Sequence, residues 1–138
     1  MIVLDTNVLS ELTRPVPEPK VLAWLEAQAA EALFTTAISR FEMLFGARIL
    51  PPGRRRDQLL AEVAAIFSID MIGRVLPYDE AAADAHAQIA AQRRVQGRPS
   101  GEADLMIAGI VRSHDATLAT RNVKDFEDCG VVLIDPWH

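Results

Sequence analysis

The sequence predicts an α/β fold, with a central, mostly parallel sheet of about five strands and helices on both faces. Three observations carry this. Short, almost wholly apolar runs alternate along the 138 residues with longer segments whose apolar residues recur every three or four positions. Runs of that kind, apolar without alternation, suit strands covered on both sides. Turn-forming residues fall between the two kinds of segment, and a strand-then-helix repeat requires right-handed crossovers. Half of the residues are hydrophobic, enough for one sizeable core, so residues 1–138 read as one domain.

The elements follow in order. MIVLDTN opens the chain, and its apolar run predicts a first strand over 2–4 that delivers Asp5, Thr6 and Asn7 to its end. Helices follow over 8–13 and 20–30, separated by Pro15, Pro17 and Pro19. Leu9, Leu12, Val21, Leu22, Trp24 and Leu25 recur at helical spacing; about half should enter the core and the rest remain open to a partner. A second strand over 33–38 precedes a helix over 40–49, and Ser39-Arg40-Phe41-Glu42 matches a capping box in which Glu42 reaches back to the Ser39 amide. Pro51-Pro52-Gly53 ends that helix, and the basic run Arg54-Arg55-Arg56 lies in the loop, either solvated or set against RNA phosphate or an acidic partner segment. A helix over 57–69 and a strand over 74–77 come next. Asp79 then caps an alanine-rich helix over 81–96, with Asp84 on its solvated face and His86 on a helix face. Past the break at 97–101, a helix over 103–114 ends at His114, and strands over 117–119 and 131–134 complete the sheet.

Composition narrows the function. A formal net charge of −5 argues against a protein that grips nucleic acid simply by being basic, so any such role must come from a local site. Cys129 is the only cysteine, so no intrachain disulfide forms, and it reads as an inert, partly buried thiol. No apolar stretch approaches the roughly 20 residues that span a bilayer, and the start lacks a signal peptide's basic region. A soluble, cytoplasmic protein is expected.

In an open parallel sheet the ligand site lies beyond the carboxyl ends of the strands. Asp5 sits just past the first strand, Glu42 one turn into the helix after the second, and Asp104 in the opening turn of the helix after the 97–101 break. Thr120, Arg121, Asn122 and Asp125 follow the fourth strand at the same edge, and Arg93, Arg94 and Arg98 are placed to bring phosphate to it. Converging carboxylates repel, and a hard divalent ion with oxygen ligands removes the conflict. Such an ion also serves phosphodiester hydrolysis. Each residue also has a plainer reading: the capping box for Glu42, the helix macrodipole for Asp104, loop amides for Asp5.

Together, Asp5-Thr6-Asn7, Ser39-x-x-Glu42 with Gly46, Asp104-x-x-Ile107-Ala108 and Thr120-Arg121-Asn122-x-x-Asp125-Phe126 resemble the PIN-domain family, and more closely its VapC-type toxins; the ending Asp135-Pro136-Trp137-His138 is similar to the FitB-like branch. The resemblance implies a three-layer α/β/α PIN-like fold and a Mg²⁺- or Mn²⁺-dependent endoribonuclease, the toxin of a type II toxin–antitoxin pair. Asp5, Glu42 and Asp104 would form the acidic, metal-holding cluster, with Thr6 fixing the Asp5 loop. Where the family commonly has a fourth acid this chain carries Asn122, which brings no charge; Asp125 is either a replacement or the N-cap of a short helix beginning at Phe126. A homodimer and a VapB/FitA-like DNA-binding antitoxin, its tail lying near the metal site, are the implied partners. Two alternatives remain: a PIN-like module that binds RNA or a protein without turnover, and a small-molecule phosphohydrolase, which the missing second aspartate of a DxD pattern disfavours.

Overall fold

A computed structural model describes residues 1–98 and 101–138; Pro99 and Ser100, part of the predicted break, lie outside the described residues. The elements are β1 (Ile2–Leu4), α1 (Thr6–Glu11), α2 (Pro19–Glu26), β2 (Leu33–Thr36), α3 (Ala37–Arg48), α4 (Arg54–Ala65), β3 (Val75–Leu76), α5 (Glu80–Val95), α6 (Glu102–Ser113), β4 (Thr117–Ala119) and β5 (Val132–Ile134). The sheet runs β3-β2-β1-β4-β5 with every pair parallel. Val3 stands opposite Phe34 on one side and Leu118 on the other, so β1 is central.

The period of two along a strand sends neighbours to opposite faces. Val3 and Leu118 enter one buried cluster, built with Ile89 of α5 and Ile107 and Ile110 of α6. Leu4 and Ala119 enter the other, with Val8 and Leu9 of α1, Val21 of α2, Met43 of α3 and Val63 of α4. Helices therefore cover both faces, giving the predicted three layers. Gly109 lets α6 lie against α5: a Cβ there would stand 2.7 Å from the Ala82 carbonyl oxygen and 2.8 Å from the His86 Cβ. Among the described residues no helix is long and apolar enough to cross a membrane.

Several boundaries differ from the sequence reading, each for a local reason. β2 stops at Thr36 because its hydroxyl accepts the Ser39 amide at 3.1 Å and so starts α3 at Ala37. Ser39 is then inside the helix, and the capping box does not form. α1 begins at Thr6, capped by the Asp5 carboxylate. α4 begins at Arg54, so the basic run is helical rather than looped. Asp125 does not cap a helix at Phe126 but lies within a 3₁₀ turn, Val123–Phe126. Cys129 is fully buried rather than partly so. Asp79 does cap α5, accepting the Ala82 amide at 3.0 Å, and His114 stands at the C-terminus of α6.

Candidate active site

The order β2-β1-β4 places chain neighbours on opposite sides of β1, and connections leave its carboxyl end in opposite directions. Such a switch point opens a crevice. Here it is a pocket of about 430 Å³ whose lining includes Asp5, Glu42, Asp104, Arg121 and Asn122. Asp5 is delivered by β1, Glu42 by the helix after β2, and Asn122 by the loop after β4. Asp104 arrives differently, because α6 runs back toward the start of β4 and so presents its first turn at the rim.

Asp5 is fixed by three donors. The Thr6 amide donates to Oδ1 at 2.8 Å, the Thr120 hydroxyl to Oδ2 at 2.7 Å, and Asn7 Nδ2 stands 3.4 Å from Oδ2. Thr120 Oγ1 in turn accepts the Asn122 amide at 3.0 Å, and Asn7 Oδ1 accepts the Arg121 amide at 3.2 Å, so the loop after β4 is tied to the loop after β1. Glu42 is held from below: the Thr6 hydroxyl donates to its Oε1 at 2.7 Å, with Ser39 Oγ 2.9 Å from the same hydroxyl. Nothing donates to the Asp104 carboxylate among the described residues.

The electrostatics follow from these surroundings. Burial raises the Asp5 carboxyl above its ordinary value; the Thr120 and Thr6 hydrogen bonds oppose the rise, and charge on Glu42 and Asp125 adds to it. Burial, then the charges of Asp5, Asp125 and Glu42, push Asp104 up to about 6. Asp125 is absent from the pocket's lining yet near enough for its charge to reach both. The Asn122 position therefore supplies an amide to the pocket, and Asp125 supplies field from outside it.

Every acid in this set is a hard oxygen donor, and neither His86 nor Cys129 joins it: His86 Nδ1 lies 2.7 Å from the Tyr78 hydroxyl and Cys129 Sγ 3.1 Å from Arg93 Nη2. That chemistry fits Mg²⁺ or Mn²⁺. Among the described residues no group of three His, Cys, Asp or Glu side chains is arranged to close around an ion. An open set of oxygens suits a cation that keeps several waters.

Some expectations fail here. Arg93 is buried, donating to the Asp125 and Glu127 carbonyls, so it organises the loop after β4 rather than meeting phosphate. Arg98 is paired with Asp128 at 2.6 Å. The pocket also contains residues the sequence reading did not single out. Ser10, Glu11 and Arg14 line one wall at helical spacing from Asn7, a pattern that would have revealed them. Glu11 is only 3% exposed and pairs with Arg14, whose Nη1 lies 3.2 and 3.1 Å from its two oxygens. The Glu18 amide donates to it at 2.9 Å; that bond, ahead of Arg14, holds the Glu11 carboxyl below its ordinary value.

Comparison with known proteins agrees with this geometry. The PIN domain family model matches residues 2–130. The chain is 40% identical to the VapC ribonuclease Y4jK of Sinorhizobium fredii and 36% identical to Toxin FitB of Neisseria gonorrhoeae, in each case across 100% of this chain and 99% of the relative. The solved structure of FitAB bound to an IR36 DNA fragment superposes with a TM-score of 0.92 at 36% identity, covering 100% of this chain and 96% of that one. With the central strand β1 leading directly into Asp5-Thr6-Asn7 and a family match over nearly its full length, the chain belongs to the PIN domain family.

Proposed function

We propose that this protein is a divalent-metal-dependent endoribonuclease, the toxin of a type II toxin–antitoxin pair. The observation that carries the reading is the convergence of Asp5, Glu42 and Asp104 in one pocket, where burial raises Asp5 and burial together with neighbouring negative charge raises Asp104. Carboxylates gathered together and drawn out of water are poised to take up a cation, and the ribonuclease and toxin names of the relatives point to what the cation is for. Asp5, Asp104 and Glu42 would hold Mg²⁺, with Mn²⁺ as the alternative ion. When bound, the ion supplies Lewis acidity and neutralises charge at a phosphodiester.

The chain's own residues do the rest. Asp5 presents its remaining lone pairs in a fixed direction, because three donors already lock its carboxylate. Glu42, oriented by the Thr6 hydroxyl, accepts a proton from the attacking water. Asn122 offers an amide to that water or to the substrate. A homodimer and a small DNA-binding antitoxin of the VapB/FitA type are the proposed partners, supported by the FitAB complex.

Purified protein incubated with Mn²⁺ and structured RNA tests the reading: cleavage that Asp5→Asn abolishes supports it. The acid left out at Asn122, and the open arrangement of the carboxylates, favour one second reading, a module that binds RNA without turnover. Retention of RNA with no cleavage under the same conditions would select it.

A further inference from the structure

Three arginines stand in line leading away from the acids. Arg121 and Arg14 line the acidic pocket, and Arg14 also lines a neighbouring groove of about 410 Å³ that contains Arg55 and Gln58. One side chain thus belongs to both concavities, and the two run into each other. We propose that a single RNA strand leaves the acidic pocket along this line, with Arg121, Arg14 and Arg55 holding its phosphates. This rests on the nuclease reading and names the path its substrate takes.

The arginines are prepared for that task. Arg121 lies over the Trp137 indole, 5.1 Å from the ring centroid, which holds the guanidinium without neutralising it. Arg14 is anchored through Nη1 alone to buried Glu11, and its side chain remains 60% exposed, so the rest of the fork is presented outward. Of the basic run at the start of α4, Arg56 reaches toward Asp57 at 3.9 Å, whereas Arg55 is exposed and lines the groove. One acid shares the groove, Glu62, which accepts from Gln58 at 3.3 Å.

The need for such a track is electrostatic. A chain of net charge −5 with clustered carboxylates repels a polyanion. A cation at the acids answers for the reacting phosphate alone, so affinity for the flanking ones must come from fixed positive charge. Asp5 is only 4% exposed at the pocket's floor, a depth that a flexible single strand reaches and a duplex does not.

Binding of a fluorescein-labelled ten-nucleotide single-stranded RNA to the Asp104→Asn protein, read by anisotropy over a salt series, isolates the track from catalysis. Arg55→Glu should weaken binding about tenfold and flatten the slope of log K against log salt by about 0.7, since one phosphate fewer is neutralised. Arg55→Lys and Arg14→Lys should stay within about threefold of the parent, since a point charge still answers a phosphate; each variant's melting temperature is checked against the parent, and Arg55, on the surface, gives the decisive arm. In the cleaving protein Arg55→Glu should raise KM and leave kcat within about twofold. Unchanged affinity and slope in Arg55→Glu overturn the track while leaving nuclease activity standing. A parent that binds RNA through Arg55 and never cleaves it overturns the nuclease reading and keeps the track. Equal retention of decaglutamate, with the same dependence on Arg55, assigns the arginines to an acidic protein segment and overturns the proposal.

Discussion

Asp104→Asn should make the metal-free protein more stable while removing its activity. The carboxyl of Asp104 rises from 3.8 to about 6 on folding, which corresponds to about 3 kcal/mol of destabilisation of the charged form. The group is only half-buried, and solvent screening reduces this to about 1–2 kcal/mol. For a chain of 138 residues that is about 5 °C in Tm. The sign follows from linkage. The folded state holds the Asp104 proton more tightly than the unfolded chain, so this group's contribution to stability is fully present below pH 3.8 and is lost as pH rises through about 6. Asparagine has no proton to lose and forfeits no hydrogen bond from the described residues. The variant should therefore gain little over the parent at pH 4 and its full advantage by pH 7. Differential scanning fluorimetry in EDTA at both pH values reads the effect. A Tm gain equal at pH 4 and pH 7, or a loss at pH 7, would refute the elevation of the Asp104 carboxyl by burial and neighbouring charge. Mg²⁺ at ten times its Kd should then restore about 1.4 kcal/mol to the parent and less to the variant.

Thr6→Val keeps the shape of the side chain and removes the hydroxyl that orients Glu42; stability should fall by about 1 kcal/mol and kcat by about tenfold, whereas unchanged kcat would remove Glu42 from the mechanism. Gly109→Ala must push α6 off the Ala82 carbonyl of α5, a backbone atom that cannot turn aside; a loss of about 1–3 kcal/mol in urea unfolding is expected, with activity falling because α6 carries Asp104. A urea midpoint equal to the parent's would show that the two helices separate freely. Glu11→Gln removes a carboxylate whose folded pKa is depressed by the Glu18 amide and Arg14. Its stabilisation is present above the unfolded value of 4.5 and is lost as pH falls through the folded one. The variant should lose about 1–2 kcal/mol at neutral pH, a deficit that closes as pH falls below 4.5 in circular dichroism; a deficit independent of pH would contradict the pairing.

What the sequence disclosed was set by long-range rules, and what it hid was set by short ones. The parallel sheet and its order of elements were legible because buried strands must be apolar throughout and crossovers have one hand. Asp5 and Glu42 could be placed at one rim for the same reason, since carboxyl ends of strands share an edge whatever the details, and Asp104 because a helix that returns to the start of the next strand begins at that edge. The capping box at Ser39 was misread because two hydroxyls, Thr36 and Ser39, compete for the same cap three residues apart, and pattern alone does not say which residue ends the strand. Burying Thr36 at the end of β2 settles it. Arg93 looked like a phosphate ligand because its charge was visible and its burial was not. Its partners, the carbonyls of Asp125 and Glu127, carry no signal in side-chain identity. Glu11 and Arg14 were readable in principle, three residues apart, at the end of α1 and just past it, in helical register with Asn7.

The pocket holds two unmet charges of opposite kind, and the fold keeps them apart. Asp5, Asp104 and Glu42 gather where strand ends converge, a position fixed by topology, and hydroxyls and amides compensate their repulsion only in part, since Asp104 still stands near 6. The arginines come instead from beside that convergence, Arg14 from the segment after α1, Arg55 from the start of α4 and Arg121 from the loop after β4. Had a guanidinium been set among the acids, it would have relaxed Asp104 toward its ordinary value and filled the place a cation is proposed to take. Arg14 is prevented from doing so by Glu11, a buried carboxylate that is fixed by the Glu18 amide and whose two oxygens hold Nη1 beside α1. Glu11 thus acts as a tether as much as a stabiliser. On that account Glu11→Gln should do more than destabilise: with Arg14 released toward the acids, the Mg²⁺ needed for half-maximal cleavage should rise, and Arg14→Ala in the same chain should bring it back. A metal requirement unmoved by Glu11→Gln would mean that Arg14 keeps its place without the tether.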